Sequence, residues 1–148
     1  MPAVSCIKDN YDNAIIKHCS ERSCELRLTG LNNYVILKGE KICRDKKMCD
    51  CIIFADRSPV LIGVVELKSR TADPDEVEEK LTNGSQMALD ILERCCGRVD
   101  FRLYPIVLSK SWRPSEYILI AKKRIEIRGR KYRITLKSCG DELLAIIV

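Results

Sequence analysis

Apolar and polar positions change their period several times along the chain, and each change predicts an element. CELRL (24–28) and YVILK (34–38) read as strands around the turn LTGLNN. CDCIIFA (49–55) and VLIGVVELK (60–68) read as a strand pair joined by the turn-forming stretch DRSP. Residues 75–96 change to helical spacing, with Val77, Leu81, Gly84, Ala88, Ile91, Leu92 and Cys95 on one stripe. Asn83-Gly84-Ser85 marks a point where this helix can break in two, with Ser85 as a cap. LYPIVLS (103–109) is a continuous apolar run, as in a strand covered on both faces. YILIA (117–121), RIEIR and YRITLK follow as strands, the last two a hairpin across Gly129-Arg130. Residues 10–20 predict a short helix. Strands, a long helix, a strand and more strands give an α/β fold with a central mixed sheet under helical cover.

Composition narrows the class. The 148 residues, 46% hydrophobic and 32% charged, match one globular domain over 1–148. No apolar run nears the ~20 residues of a membrane-spanning helix. The first residues lack a basic stretch followed by an apolar one, so a cytoplasmic protein without a membrane partner is expected. Nine cysteines is a high and odd count, and most stand among apolar residues; they are expected to be reduced, buried thiols. Charge is uneven. Residues 72–100 carry eight acids and three bases, a net −5, so the rest of this +5 chain is +10. That asymmetry permits a basic face for a polyanion, though an ordinary solvated surface explains it as well.

The candidate chemistry lies at the end of VLIGVVELK. Strand alternation puts Val60, Ile62, Val64, Glu66 and Lys68 on one face. A hairpin with 49–55 brings Asp50 beside Glu66 and Lys68 at one sheet edge. Two carboxylates and an ammonium there suit Mg²⁺ or Mn²⁺, hard cations that take one or two carboxylates and keep several waters. An ion-pair network closing a strand end is the plainer alternative.

MCD-CIIF followed by VVELK resembles the PD-(D/E)xK nuclease superfamily, with Cys49-Asp50 in place of Pro-Asp and Glu66-Leu67-Lys68 as the ExK. The resemblance spans about residues 34–110, and its motifs are short. It implies a three-layer restriction-endonuclease-like core with helices flanking a mixed sheet. It implies Asp50, Glu66 and the Leu67 carbonyl as metal ligands, and Lys68 as the group that orients water or stabilises charge. The helix after the ExK carries a supporting Gln or Lys in many members, and Gln86 is the candidate here. In one unbroken helix Gln86 lies about opposite the apolar stripe, so it reaches the site only if the helix breaks near Gly84. Many members add an upstream glutamate. Glu21, Glu25 and Glu40 are available, with Glu40 nearest the core in sequence.

Two further features bear on function. KKRIEIRGRKYRITLK sets Arg124, Arg128, Lys131, Arg133 and Lys137 opposite an apolar face, a pattern that can track phosphates or simply face solvent. His18 and the cysteines show no CxxC pair, which disfavours a zinc or iron–sulfur site; Cys49 and Cys51 are expected on one strand face, opposite Asp50. The expected activity is Mg²⁺-dependent hydrolysis of phosphodiesters, with DNA the expected substrate and a homodimer possible in principle. The alternatives are an inactive nuclease-fold subunit that binds nucleic acid or serves assembly, and a small metal-stapled interaction module.

Overall fold

The computed structural model describes residues 2–70 and 72–147. Its elements are α1 (Ala3–Asn10), β1 (Ile15–Ile16), β2 (Cys19–Glu21), β3 (Cys24–Leu26), β4 (Tyr34–Lys38), α2 (Gly39–Ile42), β5 (Cys51–Ala55), β6 (Val60–Lys68), α3 (Pro74–Cys96), β7 (Phe101–Ser109), α4 (Pro114–Ala121), β8 (Arg124–Ile127), β9 (Arg130–Arg133), β10 (Thr135–Ser138) and α5 (Leu143–Ile146). Six strands form one mixed sheet in the order β1-β4-β5-β6-β7-β10. The first four pair antiparallel, while β6–β7 and β7–β10 are parallel. A parallel neighbour needs a crossover, and α3 supplies the one from β6 to β7.

The sheet separates two apolar layers, because alternate residues of each strand face opposite sides. Ile52, Phe54, Ile62, Val64 and Val107 pack beneath α1, α3 and the β8–β9 hairpin. Cys51, Ile53, Val65, Leu67, Ile106 and Leu108 pack beneath β2–β3 and α5. The expected mixed sheet with helices is present. Its second face, however, is covered chiefly by a small β-hairpin and one short helix.

Helix α3 is unbroken. Asp73 caps it by accepting from the Asp75 and Glu76 N–H groups, Pro74 opens the first turn, and the left-handed Gly97 ends it. Gly84 serves a close approach instead of a break: a Cβ there would lie 2.5 Å from Cys49 Sγ and 2.8 Å from Val64 Cγ1. Ser85 is therefore a buried mid-helix residue.

Several local expectations are corrected. The first helix is Ala3–Asn10; residues 12–14 make a single 3₁₀ turn and 15–16 an edge strand. CELRL pairs with β2 and not with YVILK, through a two-residue turn in which Arg22 (φ 46°) and Ser23 (φ 68°) are both left-handed. Such turns favour Asn and Gly, so the sequence gives little sign of this one. YILIA belongs to helix α4, which Pro114 initiates. The C-terminal hairpin turns at Arg128-Gly129, and YRITLK divides at buried Ile134, its second part leaving to join β7.

The cysteines depart most from expectation. Disulfides join Cys6 to Cys95, Cys19 to Cys51 and Cys24 to Cys139. Outside them stand Cys43, Cys49 and Cys96.

Candidate metal centre at the end of strand β6

Glu66 and Lys68 sit near the C-terminal end of β6, on the side covered by α3, as alternation requires. Strand β5 begins at Cys51, one residue after Asp50. The Asp50 N–H donates to Val65 O at 3.0 Å, and the Asp50 carbonyl accepts from Gly39 N at 3.1 Å. Gly39 is needed for this approach, since a Cβ there would fall on the Cys49 carbonyl oxygen. So held, Asp50 turns its carboxylate toward the strand edge, where Oδ2 accepts from Leu67 N at 2.7 Å. N–H and C=O of one strand residue leave on the same side, so the Leu67 carbonyl also faces the Asp50 edge. The turn of the chain at Asp50 also breaks the alternation expected of Cys49 and Cys51. Cys49 packs in the helix-side core and Cys51 in the opposite one.

Glu66 is only 1% exposed. Its Oε2 is 3.1 Å from both Lys68 Nζ and Lys80 Nζ, and Glu76 lies 3.0 Å from Lys80 and 3.9 Å from Lys68. Its Oε1 is buried with no hydrogen-bond partner among the described residues. A buried charged oxygen left unpaired is costly, so this atom calls for a partner.

The electrostatics agree. Burial, followed by the neighbouring Glu66 charge, pushes the Asp50 pKa up to about 7, against the pull of the Leu67 N–H; a proton shared between the Asp50 and Glu66 carboxyls and then the Glu21 charge add smaller pushes. Burial and the Glu66 and Asp50 charges push the Cys49 thiol well above its usual range, so it stays un-ionised. At Lys80 burial opposes the charge, but the hydrogen bonds and charges of Glu76 and Glu66 outweigh it and raise the pKa.

Asp50, Leu67, Lys68 and Lys80 line an open cavity of about 410 Å³, together with the acids Glu21 and Glu40 and the bases Arg22, Lys38 and Arg70. Of the sequence candidates, Asp50, Glu66, Leu67 and Lys68 are brought together. Gln86 is not with them: in the unbroken α3 it lies about 1.7 turns beyond Lys80 and donates to Asp90 Oδ1 at 3.1 Å. Lys80 occupies the helix position at the site, and the sequence reading missed it. The sequence shows the i,i+4 pair Glu76–Lys80, but not which face of α3 meets the end of β6.

Glu40 borders the cavity but is 73% exposed and pairs with Lys38 at 3.3 Å. Glu21 borders it too, and it is the acid whose charge reaches Asp50. Glu25 faces elsewhere, 3.7 Å from His18.

The basic hairpin stands apart. Arg130 and Tyr132 border a separate hollow with Pro59 and Phe101, at the starts of β6 and β7. That end lies on the order of 25 Å from Lys68 along a nine-residue strand. Arg128 is engaged by α3, 2.8 Å from both Asp90 and Glu93, and Arg124 donates to the Ala121 and Lys123 carbonyls. Lys131 and Arg133 are exposed. Lys137 is exposed on β10, and its carbonyl accepts from Trp112.

Among the described residues, no group of three or more His, Cys, Asp or Glu side chains is arranged to hold a metal ion. Two carboxylates and a carbonyl fall below that number yet match what Mg²⁺ takes from a protein. No helix among the described residues is long and apolar enough to cross a membrane. No family model matches the chain, and searches of curated proteins and of solved structures find no similar protein.

Proposed function

We propose that the chain is a Mg²⁺- or Mn²⁺-dependent nuclease of the PD-(D/E)xK type, with a restriction-endonuclease-like core and DNA as its substrate. One observation carries this reading: the buried Glu66 Oε1, without a partner while Asp50 is ionised, stands beside the Asp50 carboxylate, which lines an open cavity. A divalent cation between the two carboxylates would satisfy the orphaned oxygen and remove their repulsion. Asp50, Glu66 and the Leu67 carbonyl are the residues to hold it, and waters would complete the shell. When bound, such a cation lowers the pKa of its water and offsets charge growing on a phosphate.

The chain's own groups do the rest. The Leu67 N–H orients the Asp50 carboxylate. Lys80 holds Glu66 in place from the helix side and shares its Oε2 with Lys68. Lys68, 17% exposed, is the ammonium able to turn to a phosphate oxygen or an attacking water. With Lys80 still on Glu66, that movement would leave no unpaired buried charge. Arg22 and Arg70 at the cavity edge are the bases placed to hold the phosphates on either side.

The same network supports a second reading. Lys68 and Lys80 both neutralise Glu66, as a purely structural cluster would, and the chain would then be an inactive nuclease-fold subunit that binds nucleic acid. Incubation with single- and double-stranded DNA and RNA, in Mg²⁺, Mn²⁺ or EDTA, separates the two. Cleavage that needs the cation and is lost in Asp50→Ala is expected. Binding without cleavage under every condition would select the second reading.

A further inference from the structure

Two of the three disulfides fasten one small element. The β2–β3 hairpin belongs to neither edge of the main sheet, and its two-residue turn is made of left-handed Arg22 and Ser23. Cys19 on β2 is bonded to Cys51, the residue after Asp50. Cys24, the residue after Ser23, is bonded to Cys139 beyond β10. Both strands are thus tied down close to the turn, three positions before Arg22 and one after Ser23. Alternation gives Cys19 and Glu21 the same side of β2, the side facing the sheet. From the Cys19–Cys51 anchor, Glu21 is two residues further along and reaches the same cavity as Asp50 and Leu67. The hairpin has little else to fix its tip: Glu21, Arg22 and Ser23 are all exposed. A non-glycine turn of this kind is itself unfavourable, so packing and covalent bonds must hold it.

We propose that the Cys19–Cys51 and Cys24–Cys139 disulfides are positioning elements of the cation site: they hold the Glu21 charge at the cavity that Asp50 lines, and the affinity of the site for a divalent cation depends on them. This rests on the cation-site reading given above. Chain entropy gives the reason. Without the two bonds the tip samples many positions, and a charge that is not fixed at the cavity contributes less.

The test is Mn²⁺ titration by calorimetry on the oxidised full chain and on folded variants, checked by circular dichroism. Glu21→Gln is expected to weaken Mn²⁺ binding about 10-fold or more. Cys19→Ala with Cys51→Ala should weaken it similarly, and should add little in the Glu21→Gln background, because the disulfide acts through Glu21. Should that pair not fold, Cys24→Ser with Cys139→Ser carries the same comparison. Cys6→Ser with Cys95→Ser, which frees α1 from the far end of α3, should leave affinity unchanged. Unaltered affinity in Glu21→Gln and in the disulfide variants, with binding lost in Asp50→Ala, would overturn the proposal and spare the cation site. Losses that simply add to that of Glu21→Gln would overturn it too, since a merely structural role predicts them. Absence of Mn²⁺ binding by the oxidised wild type would overturn the cation site and the proposal together.

Discussion

At the scale of single residues, Glu66 governs the account. It is a buried carboxylate with one oxygen shared by two lysines and the other orphaned. Removing either lysine leaves the second in place, so Lys68→Ala and Lys80→Ala should each cost about 1–2 kcal/mol. The double variant leaves a buried charge unpaired and should cost about 3–5 kcal/mol, more than the sum of the two. Denaturant melts of the three proteins measure this. Asp50 makes a second prediction. Its pKa rises from 3.8 in a free chain to about 7 in the fold. Between those values the folded state binds the extra proton, so Asp50's contribution to stability falls as pH rises from about 4 to 7. Asp50→Asn should flatten that part of the stability–pH curve, and Mg²⁺, which competes with the proton for Asp50, should raise the wild-type denaturation midpoint most at pH above 7. Glu66 and Lys68 were legible in the sequence because alternation along one strand fixes which residues share a face, and Asp50 because the hairpin with 49–55 brings it beside them. Lys80 was not, because its place depends on how α3 rotates against β6. Gln86 drew attention by residue type alone, and an unbroken helix carries it past the site.

At the scale of elements, packing decided what local sequence left open. Gly84 looks like a helix break and is instead the contact that lets α3 rest on Cys49 and Val64. Gly84→Ala would gain about 1 kcal/mol of helix propensity. It should nevertheless destabilise by about 1–3 kcal/mol through overpacking, and Cys49→Ala should recover part of the loss; thermal midpoints of the two variants and their combination test this. YILIA is apolar on every side, with Tyr117, Ile118 and Leu119 exposed, so no period marked it as helix. The basic hairpin was legible as a hairpin but not in its placement. Arg128 binds α3, and the tip lies at the opposite end of the sheet from Glu66. If Arg22 and Arg70 hold phosphates, neutralising both should lower the slope of log affinity against log salt by ~1 to 2, whereas Lys131→Ala with Arg133→Ala should change it less. An equal effect from the two pairs would return the hairpin to the binding surface.

At the scale of the molecule, the disulfides are the largest departure from the sequence reading. Connectivity cannot be read from cysteine spacing, because partners 89, 32 and 115 residues apart meet only through the sheet topology. Each closes a long loop of the unfolded chain, worth about 3–5 kcal/mol in the entropic account. Full reduction should therefore lower the denaturation midpoint well below that of the oxidised chain. Disulfides persist in oxidising compartments and inside some hyperthermophiles, so the cysteines no longer argue for a reducing cytoplasm. The central claim is that a cation held by Asp50 and Glu66 works with Lys68 on a phosphodiester. Its most direct measurement is the rate of Mg²⁺-dependent DNA cleavage by wild type and Lys68→Ala, both confirmed to be folded and to bind Mn²⁺. A fall of about 100-fold or more with cation binding retained is the expected result. Wild-type cleavage by a Lys68→Ala protein that is merely less stable would contradict it, and would make VVELK a strand end closed by an ion network.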